Sequence, residues 1–125
     1  MRLSLTPILA ALTLSLALTA CAGSPSYAGG PTADDAHGIV DPGWDVSLFT
    51  VDGQDTANRH GQTYVAPGRR RLGIRIEHPL ESDDWKPYEN RVIVIDVVPS
   101  TLYTLDRKPG EYPPYEVNIN QFDLR

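Results

Sequence analysis

Apolar and polar residues alternate in short segments through most of this chain after residue 39. The clearest segment is 69–78, where Leu72, Ile74 and Ile76 alternate with residues that include Arg71 and Arg75. Successive side chains of a β-strand point to opposite faces of a sheet. The pattern therefore predicts a strand with one buried face and one charged face.

Five further segments have the composition of strands, rich in β-branched and aromatic residues. They are residues 44–51, 62–65, 91–98, 102–105 and 115–122. Residues 91–98 are a nearly continuous run of the β-branched apolar residues Val and Ile. Such a run predicts a central strand, with Ile93, Ile95 and Val97 toward the core. Turn residues separate the segments, and no segment has helical spacing. The pattern predicts an all-β fold, a small antiparallel β-sandwich of about six to seven strands or a partly open barrel.

Residues 1–20 have the composition of a secretory signal peptide. One basic residue, Arg2, precedes an apolar stretch that is shorter than the ~20 residues needed to span a bilayer. The stretch closes on Leu18-Thr19-Ala20-Cys21, which resembles the lipobox of bacterial lipoproteins. That resemblance implies cleavage before Cys21 and a diacylglyceryl group on its thiol. The alternatives are a soluble-secretion signal cleaved after Ala22 and a retained transmembrane helix.

Acylation of Cys21 would use the only thiol in the chain, so no disulfide, catalytic thiolate or cysteine-based zinc site is expected. Two or three acyl chains hold a protein on a membrane durably, because each buried methylene adds about 0.8 kcal/mol. By resemblance to Gram-negative lipoproteins, Ala22 after the cysteine favours the outer membrane, facing the periplasm.

Residues 22–38 are small, polar and aperiodic, which predicts a flexible tether. The predicted organisation is therefore signal peptide 1–20, tether 21–38 and β-sandwich 39–125.

The chain is acidic, with a formal charge of −5. Removal of the signal peptide takes away one basic residue and no acidic one, which makes the mature charge −6. An acidic domain without interleaved basic and aromatic residues has no general attraction for nucleic acid. The expected partners are therefore the membrane, through the lipid anchor, and a protein or anionic surface of the cell envelope.

The order of strands and turns resembles the PEGA-type and immunoglobulin-like modules of small bacterial lipoproteins. The motifs that carry the resemblance are Val51-Asp52-Gly53, Tyr64-Val65-Ala66-Pro67-Gly68, Leu72-Gly73-Ile74-Arg75-Ile76, Val94-Ile95-Asp96-Val97-Val98-Pro99 and Leu102-Tyr103-Thr104-Leu105. They cover about residues 44–122, and Tyr103 is the inward tyrosine of the pattern. Ser100 departs from it, because the family commonly has Gly there. The resemblance implies a non-enzymatic envelope module and transfers no catalytic residue.

Arginines form the sharpest charged feature of the chain. Arg69-Arg70-Arg71 begins the alternating strand, and Arg71 and Arg75 share its outward face with Glu77. The candidate binding residues are Arg69, Arg71 and Arg75, which could hold a phosphate, a carboxylate or an acidic protein face. The alternative interpretation is that these charges protect a sheet edge against strand addition.

Aromatic residues cluster near predicted turns, and they either form a contact surface or cap the ends of the sandwich. They are Trp44, Trp85, Tyr88, Tyr112 and Tyr115.

Motifs for metal binding and catalysis are not found in the sequence. His37, His60 and His78 lack a second ligand at zinc spacing, and the acidic loop 81–89 lacks the glycine of a calcium loop. No Gly-x-Ser-x-Gly or phosphate-binding loop is found. We expect no cofactor, no metal and no enzymatic activity. The predicted function is a structural or partner-binding lipoprotein; the alternatives are a ligand-binding or inhibitor module using the arginines, and a small periplasmic hydrolase.

Overall fold

Two β-sheets pack face to face in this protein. The structure is a computed structural model that describes residues 24–77, 88–109 and 114–125. Its strands are β1 (Gly38–Pro42), β2 (Val46–Val51), β3 (Gln54–Asp55), β4 (Thr63–Val65), β5 (Gly68–Glu77), β6 (Tyr88–Val97), β7 (Thr101–Arg107) and β8 (Val117–Asp123). Within the described ranges, no helix is long and apolar enough to cross a membrane.

Each sheet has four strands. Sheet I has the order β4-β1-β7-β8, and sheet II has the order β3-β2-β5-β6. The all-β sandwich is thus confirmed, with eight strands in the described residues instead of six or seven. One pair is also parallel, since β1 runs beside β7 with Ile39 next to Leu102. The two additional strands, β1 and β3, are five and two residues long, too short for a recognisable alternation.

The core lies between the sheets and takes alternate residues from both. Its fully buried members include Val46, Leu48, Val51, Leu72, Ile74, Ile76, Val40, Val65, Tyr103 and Leu105. The inward face predicted for β5 is therefore confirmed. Burial of each aliphatic side chain stabilises the fold by roughly 1.5–3 kcal/mol relative to the same side chain in water. Strand β5 contributes three of these side chains, Leu72, Ile74 and Ile76.

Strand β6 is an edge strand and not the central strand that its sequence predicted. Among the residues that the structure describes, it pairs only with β5, at the end of sheet II. Ile95 and Val97 are buried as expected, and Ile93 packs against the core. Val92 and Val94 on the other face, however, are 56% and 46% exposed. The continuous apolar run therefore does not correspond to burial on both faces.

The segment before β1 packs against the sandwich, which differs from the predicted flexible tether. The Tyr27 side chain is 7% exposed and belongs to the core cluster. Its hydroxyl accepts a hydrogen bond from the Ala66 N–H at 3.1 Å, and the Ala57 N–H donates to the Ser26 carbonyl at 2.7 Å. One aromatic residue among glycines and serines has no periodicity, so the sequence pattern could not reveal this contact. Residues 1–20 and Cys21 lie outside the described residues.

Two turns use left-handed backbone at non-glycine residues. Asp52 and Gly53 have φ of 50° and 82° and join Val51 to Gln54, the geometry of a two-residue hairpin turn. Ser100, with φ of 56°, takes the position where the resembled family commonly has Gly. Aspartate and serine here accept a conformation that costs most residues roughly 1–2 kcal/mol.

The Tyr103 hydroxyl secures the connection from β6 to β7. Tyr103 is fully buried, as the resemblance implied for its inward tyrosine. Its hydroxyl accepts from the Val98 N–H at 2.7 Å and donates to the Asp96 carbonyl at 3.1 Å. Backbone groups at the end of β6 are thereby satisfied by a core residue of the opposite sheet.

Tyr27 provides a test of the packed N-terminal segment. We expect Tyr27→Ala to lower the free energy of unfolding by about 3 kcal/mol, as for other buried aromatic truncations. Tyr27→Phe should lower the free energy of unfolding by about 1 kcal/mol, because it removes only the hydroxyl that accepts the hydrogen bond from the Ala66 N–H. Urea denaturation of both variants measures these values. An Ala variant as stable as the wild type would mean that residues 24–37 are a tether after all.

Candidate functional site

The outer face of sheet II carries the candidate site. Arg71, Gly73 and Arg75 project from the outward positions of β5, and Val92 and Val94 from those of β6. Phe49 and Thr50 of β2, Tyr88 and Asn90 of β6 and Arg59 from the loop after β3 complete the surface. We call this surface the arginine face.

Two aromatic rings hold the guanidinium of Arg75. Its central carbon lies 4.1 Å from the Phe49 ring centroid and 4.0 Å from the Tyr88 ring centroid. The guanidinium of Arg59 also lies over Phe49, at 4.1 Å. Each such contact contributes about 0.5–1 kcal/mol at an exposed site. Stacking therefore positions both cations, and the Arg75 Nε–H also donates to the Asn90 side-chain carbonyl at 3.4 Å.

A β-bulge explains why Phe49 stands between these arginines. The β2–β5 register shifts between Leu48 and Thr50, so Phe49 is the extra residue. The neighbouring loop closes on the bulge, because the Leu48 N–H donates to the Arg59 carbonyl at 2.9 Å and the Thr56 hydroxyl donates to the Leu48 carbonyl at 2.6 Å. Bulges commonly redirect a side chain in this way. The hydrogen bond between Leu48 and Arg59 also places the Arg59 side chain at the arginine face.

Gly73 forms the floor of a shallow depression in the arginine face. A Cβ atom at this position would overlap the Thr50 hydroxyl oxygen. Two open hollows, of about 360 and 430 Å³, meet over Gly73 and Val92. Arg75 borders one hollow and Arg71 the other. The Thr50 hydroxyl takes the space of the missing side chain, and the two hollows beside it leave room for a ligand between the two arginines.

The four arginines at positions 69, 70, 71 and 75 do not act alike. Arg70 is held by the Asp52 carboxylate at 3.1 Å and by the Pro67 carbonyl at 2.6 Å, so it serves the fold. Within the described part of the chain, Arg69, Arg71 and Arg75 form no ion pair.

The structure brings Arg71 and Arg75 together around Gly73, as the sequence predicted. Arg69 lies further along β5, beside Asp96 of β6. Strand β5 is an inner strand, between β2 and β6. The alternative that these arginines protect a sheet edge is therefore wrong.

Asp52 holds the start of β5 in place beneath Arg71. The Arg71 N–H donates to one carboxylate oxygen at 2.9 Å, and Arg70 donates to the other at 3.1 Å. The backbone hydrogen bond from Arg71 is the largest cause of the lowered pKa of Asp52, and Arg70 adds to it. Folding therefore favours the ionised form of Asp52.

The other predicted site residues do not converge with the arginine face. His37 stacks on Tyr64, with ring centroids 4.3 Å apart. His60 lies 3.3 Å from the Ser47 hydroxyl, but Ser47 is only 1% exposed, so this pair offers no accessible nucleophile. In the described ranges, no three His, Cys, Asp or Glu side chains group as metal ligands. His78 and the acidic residues 81–84 lie outside those ranges.

The aromatic residues near turns have different environments. Tyr115 is buried in the core, which fits a capping role. Trp44 is 84% exposed and caps nothing. Tyr88 stacks on Arg75 in the arginine face. Trp85 and Tyr112 lie outside the described residues.

Sequence reasoning missed Phe49, Arg59, Gly73 and Val92 as parts of this surface. Only Gly73 carried a signal, since it shares the outward positions of β5 with two arginines. The position of Arg59 depends on the bulge and that of Val92 on sheet order, and local pattern reveals neither.

Comparison with known proteins assigns no family to this chain. No family model, curated protein or solved structure matches it. Both the lipobox and the likeness to PEGA-type modules therefore remain predictions from sequence.

Asp52 gives a pH-dependent prediction. Asp52→Ala should lower the free energy of unfolding by about 1–2 kcal/mol at pH 7, because it removes two hydrogen-bond acceptors and leaves alanine at positive φ. Asp52→Asn keeps an acceptor and the left-handed conformation, so it should cost roughly 0.5 kcal/mol.

The pKa of Asp52 is lowered by folding, so its charge stabilises the fold above its unfolded-state pKa of about 3.9 and this contribution is lost as pH falls through the folded-state pKa. The difference between wild type and Asp52→Asn should therefore shrink between pH 7 and pH 3 in urea denaturation. A difference that stays constant over this range would contradict the role assigned to the charge.

Proposed function

We propose that this chain is an exported lipoprotein, held at the outer membrane by acyl chains on Cys21, whose β-sandwich binds a partner in the cell envelope. The lipobox-like sequence Leu18-Thr19-Ala20-Cys21 supports the anchor. The arginine face supports the binding role. The observation that carries it is Arg75 stacked between Phe49 and Tyr88, beside the depression over Gly73.

The chemistry of the arginine face favours an anionic partner. A guanidinium is planar and offers paired N–H donors that match a carboxylate or phosphate. Stacking of Arg75 between two rings reduces the side-chain freedom that binding would otherwise remove. Arg59 and Arg71 add positive charge on the same surface, while the chain as a whole is acidic. The three arginines outnumber the acidic residues at this face, where Asp52 lines the hollow beside Arg71 and Glu77 ends the outward row of β5.

The packed N-terminal segment limits how far the domain would stand from its anchor. Ser26 and Tyr27 already contact the sandwich. Only five peptide steps separate Cys21 from Ser26, a reach of at most about 18 Å. An acylated Cys21 would therefore hold the sandwich close to the membrane surface. We propose that it binds components near that membrane and not distant ones.

Acylation of Cys21 is tested by substitution. Cys21→Ser should abolish incorporation of labelled palmitate and release the protein from the membrane fraction, because it removes the acylated thiol. The readouts are lipid labelling and cell fractionation of the processed chain. Processed Cys21→Ser protein that still sediments with membranes would contradict the lipid anchor.

The arginine face is tested by charge reversal. Arg71→Glu/Arg75→Glu should lower recovery of bound envelope components at least tenfold in a pull-down from envelope extract, since it turns attraction into repulsion. Lys108→Glu is the matched control, because Lys108 is exposed in the connection after β7 and pairs with Glu116. Circular dichroism checks that all variants fold. Equal recovery by wild type and the double variant would refute binding through this face.

A further inference from the structure

Strand β6 has an outer edge whose backbone groups pair with no other strand of the described residues. The Arg71 carbonyl accepts from the Asp52 N–H at 2.8 Å, and the Glu77 N–H donates to the Asp45 carbonyl at 2.9 Å. Both residues of β5 thus direct their backbone groups toward β2. In an antiparallel ladder this direction alternates residue by residue. Their register partners on β6, Val94 and Tyr88, therefore direct their backbone groups away from β5.

The same parity applies to Asn90 and Val92, which lie between those two positions. At one end of the edge, the Tyr103 hydroxyl occupies the Asp96 carbonyl and the Val98 N–H. In the described part of the chain, no partner reaches the outward backbone groups of Asn90, Val92 and Val94. An open edge of this kind is a template for an added strand.

The side chains beside this edge suit an acidic strand. Asn90, Val92 and Val94 lie next to Arg75, Gly73 and Arg71 of β5, respectively. A strand added outside β6 would lie about 10 Å from β5, two strand spacings away. The short Val94 side chain leaves the path from Arg71 open, whereas the Asn90 side-chain carbonyl accepts a hydrogen bond from the Arg75 Nε–H at 3.4 Å. Arginine and glutamate side chains can therefore meet above β6, with a glutamate opposite Asn90 sharing the Arg75 guanidinium with that amide. Neither Arg71 nor Arg75 has a carboxylate partner among the residues described.

We propose that an extended acidic segment of a partner protein adds to β6 as a fifth strand of sheet II. Its outward residues opposite Asn90, Val92 and Val94 would be a carboxylate, an apolar residue and a second carboxylate. The carboxylates pair with Arg75 and Arg71, and the apolar residue packs on Val92. This inference rests on the proposed function for the role of the two arginines, and it adds recognition of the main chain.

A synthetic peptide tests this strand addition. The probe is fluorescein-labelled Thr-Glu-Thr-Val-Thr-Glu-Thr, titrated against the protein purified from membranes in detergent and followed by fluorescence anisotropy. We expect saturable binding. The same peptide with Lys in place of both Glu should bind at least tenfold more weakly, because it meets Arg71 and Arg75 with like charge.

Two changes to the backbone separate strand addition from side-chain contact. N-methylation of the peptide valine removes the N–H that faces Val92. Val92→Pro removes the corresponding donor of the protein without removing a bond between β5 and β6. Each should weaken binding at least tenfold, and amide hydrogen exchange at Asn90, Val92 and Val94 of the wild type should slow when the peptide binds. The N-methylated peptide keeps the test valid if Val92→Pro fails to fold.

Three results would overturn the inference. Equal binding of the N-methylated and unmodified peptides would show side-chain contact without an added strand. The peptide could fail to bind while Arg71→Glu/Arg75→Glu still lowers the recovery of envelope components in the pull-down. That pair of results would refute strand addition and leave the proposed function standing. Sedimentation of the protein as a dimer that Val92→Pro converts to a monomer would identify a second copy as the occupant of the edge.

Discussion

Strand β5 can bury its apolar residues only by turning Arg71 and Arg75 outward. Leu72, Ile74 and Ile76 are fully buried between the sheets or nearly so. A slip of one residue would place Arg71 and Arg75 in the core and these aliphatic residues in water. Burying unpaired guanidinium groups would cost far more than the fold can supply. Hydrophobic burial on one face of β5 therefore determines the chemistry of the other face.

The neighbours of β5 then determine what the arginines can do. Strand β2 contributes Phe49 through its bulge, and β6 contributes Tyr88, so that Arg75 is stacked from two sides. Asp52 anchors the Arg71 backbone from the hairpin turn. On the far side, no further strand of the described residues pairs with β6, which exposes Val92 and Val94. The basic surface and the open edge are adjacent because both derive from the register of β5 and β6.

Local pattern was sufficient for some of this architecture. The alternation in β5 predicted both of its faces, because this feature depends on residues adjacent in the chain. The position of β6 could not be predicted, since an apolar run does not reveal whether another strand covers it. The contact of Tyr27 with the core likewise depends on residues such as Ala66, far away in the sequence.

The candidate site was predictable to the same extent. Arg71 and Arg75 were found from alternation alone, whereas the cradle around Arg75 requires three strands and a bulge to come together. Whether Arg69 contributes was also beyond sequence reasoning, because its distance from the depression follows from the β5–β6 pairing. The role of Cys21 is predicted only from the resemblance of residues 18–21 to a lipobox, because Cys21 lies outside the described residues.

The most direct test of the account is photo-crosslinking in cells with a photoreactive residue in place of Val92, compared with one in place of Thr104 on the outer surface of sheet I. We expect the photoreactive residue at position 92 to form a covalent adduct with a protein of the cell envelope. The residue at position 104 should not form this adduct, and the adduct from position 92 should be lost when Arg71 and Arg75 are changed to Glu. The same adducts from both positions, or none from position 92, would contradict a binding role for this face and edge.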